Sequence, residues 1–273
     1  MNTKQERKSD FGKVNTPKPD MDIVMKRYPK TAKYDSNWIE ENWMGPNPLW
    51  LLEDLCAHME LRPGMKVLDM GCGKGITSVF LAKEYGLTVF AIDLWIDATD
   101  NLHRFEDAGV ADRVFPLHAE AHALPFAEGF FDAALAIDCY HYFGASESYL
   151  PDILSKLVKP GGQLGIVVPG LKREYEKGYP ETLKELWIPE LFTLHSGTWW
   201  RTLWEKTGLC EIVACYDIVD PKAVWQPWAD WSIENFEKEW GEGGDFDVKL
   251  LESDTDNDIA LVALVATATA PRF

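Results

Sequence analysis

The sequence is short of positive charge. Its 273 residues carry 27 Lys and Arg against 44 Asp and Glu, a formal net charge of −17. Phosphate-rich surfaces are held by clustered Lys and Arg, so nucleic acid and anionic lipid are excluded as expected partners. A ligand with a positive centre is compatible with this balance. Long hydrophobic runs are missing as well. The longest, Ile259 to Ala270, falls well short of the roughly 20 residues that span a bilayer, and it fits a buried strand, so no integral membrane association is expected. Cysteine is sparse: five residues, at 56, 72, 139, 210 and 215, with no Cys-x-x-Cys pair. An odd, scattered set points to reduced thiols rather than a disulfide framework or a zinc site. The opening "MNTKQERKSDFGK" lacks the apolar segment of a secretory signal. Together these features predict a cytoplasmic protein. Repeats and low-complexity tracts are also lacking.

What is present is a hydrophobic fraction of 46%, enough for a sizeable core, and 12 Trp. Residues 1 to about 35 are polar, and a poorly ordered tail is expected there. From Asn47, Leu51, Leu52, Leu55 and Met59 recur at helical spacing behind Pro48. An alternation follows. A strand is predicted at Lys66 to Met70, a helix at Ile76 to Tyr85 ending at Gly86, and a strand in "LTVFAID". Next come a helix over about Trp95 to Ala108, strands in "RVFPLHAE" and "FFDAALAID", a helix around Ser148 to Leu157, and a strand in "QLGIVVP". Strand and helix in alternation, joined by short links, read as a parallel sheet with helices on both faces. Leu171 to Leu209 reads as helical and aromatic. "EIVACYDI" and "DIALVALVATAT" read as two last strands, with an irregular acidic, Trp-rich stretch from Val219 to Asp258 between them.

The candidate site begins at "VLDMGCGKG", Val67 to Gly75. Glycines at 71, 73 and 75 behind a strand let backbone approach a ligand closely. The phosphate-cradle spacing G-x-x-x-x-G-K-[ST] is absent, and Ile76 stands where G-x-G-x-x-G needs glycine. Acids, however, end or adjoin the first four strands: Asp69, Asp93, Glu120 and Asp138. In an open parallel sheet the carboxyl ends of the strands form one crevice, and an acid about twenty residues past the glycines can accept ribose hydroxyls. Carboxylates gathered there repel phosphate. They suit a ligand with an amine, a ribose and a positive centre, and S-adenosylmethionine has all three.

The order "VLDMGCGKG", "VFAIDLW", "HAEAHALPFAEGFFDAALAIDCYHYFG" and "LVKPGGQLGIVVP" resembles the class I S-adenosylmethionine-dependent methyltransferases, in the small-molecule branch that includes ubiquinone/menaquinone- and sterol-type enzymes. The resemblance covers about Asn47 to Gly170. It implies an α/β, Rossmann-like, mostly parallel seven-stranded sheet with helices on both faces, the last strand antiparallel, and helical, aromatic lid insertions. The division it suggests is a tail and cap segment at 1–46, a cofactor-binding core at 47–170, and a lid or acceptor region with the last two strands at 171–273. The implied cofactor is S-adenosylmethionine, with S-adenosylhomocysteine as product, and the implied partner is a small-molecule methyl acceptor. By the same resemblance, Gly71 and Gly73 pass the methionine part and sugar. Asp69 orders the loop and receives the ammonium, directly or through water. Asp93 holds the ribose hydroxyls, Leu94 and Trp95 pack on the adenine, and Glu120 or the amide of Ala121 reaches the adenine edge. Glu120 falls where the family usually has Asp. Asp138 faces the methionine end.

His141, where family members often carry His, is the candidate general base, with Tyr142 beside it. His118 and His122, four apart, lie at a strand end rather than in a zinc-binding helical motif, and no metal is expected. "ESDTDND" lacks the register of a calcium loop and reads as a solvated turn. Trp225, Trp228 and Trp231 are assigned to a lid or acceptor wall, where they could stack on a flat ring or cage an amine. Methyl transfer from a sulfonium is an in-line displacement that needs alignment more than acid–base machinery. Amino-methylating enzymes of nucleic acid carry Asn/Asp-Pro-Pro-aromatic after the fourth strand, and this chain has "DCYH" there. A cyclopropane-synthase-like lipid enzyme and a non-catalytic cofactor-binding protein are the alternatives.

Overall fold

The computed structural model describes residues 26–270 of the chain. Most of the expected tail, residues 1–25, therefore lies outside the described residues. The stretch from 28 to 31 does not behave as a tail. Lys30 and Thr31 donate backbone N–H groups to the Glu53 carboxylate at 2.9 and 2.7 Å, and the Thr31 hydroxyl adds a third bond at 2.8 Å. Tyr28 stacks on Trp50 with centroids 5.7 Å apart. A buried carboxylate is costly unless it is hydrogen-bonded, and this segment supplies the donors. It leads into α1 (Ser36–Asn42), capped by the Asp35 side chain, and α2 (Pro48–Cys56), capped by Asn47.

The described residues then build one seven-stranded sheet from β1 (Lys66–Met70), β2 (Thr88–Asp93), β3 (Val114–His118), β4 (Phe131–Ile137), β5 (Val158–Leu171), β6 (Cys210–Asp217) and β7 (Ile259–Ala268). The order is β3-β2-β1-β4-β5-β7-β6. Pairings among β1 to β5 are parallel, and β7 runs antiparallel to both β5 and β6. The order reverses direction at β1, with β2 on one side and β4 on the other. In such a sheet the crevice opens beyond the carboxyl ends of those strands.

Side chains alternate faces along each strand, and here both faces are buried. Val67, Ala133, Leu135 and Ile137 join one core with Leu52, Leu55 and Phe80, while Leu68, Ala134 and Ala136 join another with Tyr140, Trp200 and Trp204. Near-continuous apolar strands follow from this two-sided burial. The first layer includes α2 and α3 (Ile76–Tyr85), which ends at Gly86 in the left-handed region as expected. The helix after β2 is α4 (Ala98–Asp107), shorter than its sequence pattern. The second layer includes α5 (Gly197–Glu205), whose Ser196 cap accepts a bond from the Trp199 N–H.

Three expectations need correction. The stretch from Val219 to Asp258 is not irregular: it forms α6 (Pro221–Trp240) and α7 (Phe246–Ser253). The Asp220 side chain caps α6 and Pro221 opens it. Val224, Trp225, Trp228, Ala229 and Ser232 are its buried residues at helical spacing, and Pro227 within the helix masked that pattern. The helix around Ser148 to Leu157 is instead a π turn at Leu150–Leu154 followed by a short α turn at Ser155–Leu157, with Pro151 at the start. Between β5 and α5 the chain makes 3-10 turns at Glu181–Leu186 and Pro189–Thr193 rather than long helix.

Candidate active site

The glycine loop leaves β1 with Gly71 at φ +63° and Gly73 at φ +55°, backbone that L side chains rarely adopt. Space is equally restrictive: a Cβ on Gly71 would stand 2.5 Å from Cys139 Sγ, and one on Gly73 2.8 Å from Met44 Sδ. Both backbone polar groups of Gly73 are held, its N–H by Asp93 Oδ2 at 2.8 Å and its carbonyl by Asn101 Nδ2 at 2.9 Å. Asp93 Oδ1 accepts the N–H groups of Trp95 and Ile96 at 2.7 and 3.0 Å. One acid thus ties the glycine loop to the turn after β2.

A cavity of about 300 Å³ opens over this loop. Its wall includes Gly71, Gly73, Asp93, Leu94, Trp95, Glu120, Ala121, Asp138 and Tyr142, brought together from the ends of β1 to β4, and residues 42–48 close one side. Asn42, Met44, Gly45 and Pro46 in that closing segment carried no motif, and the sequence gives no spacing signal for them.

Asp69 and His141 are not part of this wall. Asp69 lies 1% exposed. Its Oδ2 accepts the hydroxyls of Thr77 and Ser78 at 2.7 and 2.6 Å, so the carboxylate binds the first turn of α3 to β1. Burial pushes its pKa up to about 6, against the pull of those two hydroxyls. The partners were visible in the sequence as "ITS", opening the helix eight and nine residues after the acid. His141 is 5% exposed, with Nδ1 unpartnered, and burial drags its pKa down to about 3. Trp225 and Trp228 are core rather than cavity wall: both are buried, and Trp228 and Trp231 stack together against Trp43.

The remaining acids behave differently from one another. Glu120 is exposed and hydrogen-bonds His122, which holds its pKa below the usual carboxylate value. The Ala121 carbonyl accepts the Tyr149 hydroxyl at 3.1 Å. Asp138 has φ +60°, a strained position for a residue with a Cβ. Its pKa is raised well above the ordinary value by burial and by the charge of Asp247. Burial also raises the thiols of Cys72 and Cys139 well above normal, leaving them unreactive. His118 hydrogen-bonds the Leu94 carbonyl at 2.8 Å, and no metal-binding cluster occurs among the described residues.

Residues 67–162 match a family described as a methyltransferase domain. Over that stretch, about a third of the chain, the sequence is similar to methyltransferase domains. Sterol 24-C-methyltransferase from Yarrowia lipolytica is 29% identical to it over 130 residues, 46% of this chain and 33% of that protein. The chain spans about a third to a half of the length of the curated relatives it matches. Phosphoethanolamine N-methyltransferase 2 from Haemonchus contortus, solved with S-adenosyl-L-methionine, superposes with a TM-score of 0.68 at 20% identity, covering 91% of this chain and 60% of that one. The [4+2]-cyclase SpnF superposes with a TM-score of 0.65 at 18% identity over 81% of each chain. The glycine loop and the Asp93 tie lie within the matched residues. The two structural likenesses establish the fold alone. Among the described residues no helix is long and apolar enough to cross a membrane.

Proposed function

We propose that the chain is an S-adenosylmethionine-dependent methyltransferase acting on a small-molecule acceptor. The supporting observation is the pair of glycines with no room for a Cβ, one of which, Gly73, is tied to Asp93 at the carboxyl edge of β1 and β2. The residues fit the cofactor. Asp93 Oδ2 accepts one protein hydrogen bond, from Gly73 N–H, and keeps a lone pair for a ribose hydroxyl. Leu94 and Trp95 offer apolar surface at the cavity, with Trp95 67% exposed. On this reading Glu120 or the Ala121 amide would reach the adenine edge, and Asp138 would face the methionine end, where the methyl group is carried; all three line the cavity.

When bound, S-adenosylmethionine supplies an electrophilic methyl group on a sulfonium. The chain's own work is alignment. The glycine loop positions the methionine part, Asp93 the sugar, and residues 42–48 shield the cavity from water. The wall would also have to hold the acceptor beside the cofactor, since methyl transfer depends on alignment of the two more than on acid–base groups. Neutral His141, behind the wall, contributes packing to this arrangement. With the division 1–46, 47–170 and 171–273, the part of the first segment that would cover the cofactor is Asn42, Met44, Gly45 and Pro46, which line the cavity. The five free cysteines fit a reducing compartment such as the cytoplasm.

A cyclase shares this fold, so binding alone does not establish methyl transfer. Calorimetry with S-adenosylmethionine, followed by mass spectrometry of methylated products from a metabolite extract, tests both halves. Binding with no methylated product would leave a cofactor-binding protein. Absence of binding would refute the reading.

A further inference from the structure

The charges on the cavity wall narrow the acceptor, on the methyl-transfer reading. Asp138 lines the cavity, and among the described residues no donor or cation reaches its carboxylate. Gly45 backs directly onto that carboxylate and leaves no space for any larger residue. The groups that share its surroundings are Asp247 from α7, and Cys139 and Tyr142 from its own loop. None is a cation. Asp247 is itself turned toward Trp228, accepting its Nε1–H at 2.7 Å. Asp138 is half-buried, and a carboxylate whose charge goes uncompensated in a cavity wall is costly. A cation at the same place relieves that cost and the repulsion from Asp247. The rings of Tyr142 and Trp95, 58% and 67% exposed, stand 6.1 Å apart and both line the cavity. Such π-faces attract cations. Among the described residues Lys74 is the only Lys or Arg on the wall; it sits in the glycine loop, and among its contacts is a bond to the Glu41 carbonyl at 3.1 Å. A phosphorylated acceptor would therefore face carboxylates.

We propose that the acceptor is an amine, and that Asp138 recognises its nitrogen and takes its proton. The acceptor enters as an ammonium. One N–H bond breaks and the proton passes to the Asp138 carboxylate, leaving a neutral amine and a neutral acid. The nitrogen lone pair forms the bond to the methyl carbon. The carbon–sulfur bond breaks with its electron pair remaining on sulfur, and the methylated amine leaves as a cation.

The test uses two probes of one shape, benzyltrimethylammonium and the neutral (2,2-dimethylpropyl)benzene, titrated at pH 8 into the full chain saturated with S-adenosylhomocysteine. The expected result is a preference for the cation of about tenfold or more, the scale of a desolvated cation–π and charge contact. Asp138→Asn should bring the two affinities within about twofold while retaining its circular dichroism spectrum, because Asn tolerates the left-handed backbone. Equal binding of both probes to the wild type, or an undiminished preference in the variant, would overturn the proposal. So would an Asp138→Asn chain that loses S-adenosylhomocysteine instead, since the carboxylate would then belong to the cofactor. If the wild type fails to bind S-adenosylhomocysteine at all, the methyl-transfer reading fails first and the amine assignment with it.

Discussion

The backbone N–H of Gly73 donates to Oδ2 of Asp93 across 2.8 Å, twenty residues along the chain. This bond joins the glycine loop to the acid of the neighbouring strand. The residue that would hold the ribose also shapes the loop that would hold the methionine part. Asp93→Ala should therefore weaken S-adenosylmethionine binding by roughly 1.5–3 kcal/mol, the scale of hydrogen bonds to a charged group. It should also lower Tm, because the N–H groups of Gly73, Trp95 and Ile96 lose their acceptor. Calorimetry and thermal denaturation read the two effects. A folded variant with unchanged affinity would remove Asp93 from the cofactor site.

Gly73→Ala should be damaging for two separable reasons. The left-handed backbone costs an L-residue about 1–2 kcal/mol, and the new Cβ would press on Met44 Sδ at 2.8 Å. Met44→Ala in the same chain should recover the packing part and leave the backbone part. Equal affinities of the single and double variants for S-adenosylmethionine would show that the Met44 contact does not matter.

His141 makes a pH prediction opposite in sense to that of an exposed imidazole. Its folded pKa of about 3 lies below the ordinary value near 6.5. The folded state thus favours the neutral ring. The associated stability is complete above about pH 6.5 and is lost progressively as pH falls toward 3. The linkage amounts to roughly 3–5 kcal/mol at its full extent. His141→Gln should flatten that part of the stability profile, measured by urea denaturation between pH 4 and 7. A catalytic acid limb near pH 6.5 that disappears in this variant would contradict the placement and restore His141 as a base.

Trp228 separates core from lid. It is 5% exposed, packs on Trp43 and Trp231, and donates to Asp247. Truncation to Ala should cost about 3–5 kcal/mol of stability. A variant of native stability with altered acceptor KM alone would return this residue to the acceptor wall.

The fold was legible where local chemistry and tertiary demand coincide. The helix from Ile76 to Tyr85 lies between Gly75 and Gly86, both in the left-handed region, and strands buried on two faces show as near-continuous apolar runs. The same reading failed at α6, where Pro227 inside the helix hid the spacing of Val224, Trp225 and Trp228, and at Leu150–Leu157, where Pro151 starts a π turn. In the site, Asp93 and the glycines were visible because their spacing along the chain is fixed by one βαβ unit. The tertiary neighbours were not. Met44 against Gly73, Gly45 against Asp138 and Asp247 near Asp138 connect residues separated by 29, 93 and 109 positions, and no local pattern encodes those meetings. The burial of His141 was hidden for the same reason, since its sequence neighbours Tyr140 and Tyr142 go one into the core and the other to the cavity wall.

The central claim is methyl transfer from S-adenosylmethionine, and the most direct measurement follows the methyl group itself. The full chain is incubated with S-adenosylmethionine carrying a deuterated methyl group and a small-metabolite extract, and products are resolved by mass spectrometry. The expected product is a small molecule heavier by the labelled methyl, formed in step with S-adenosylhomocysteine, and absent with Asp93→Ala. Tight S-adenosylmethionine binding by the wild type with no label leaving the cofactor would contradict it.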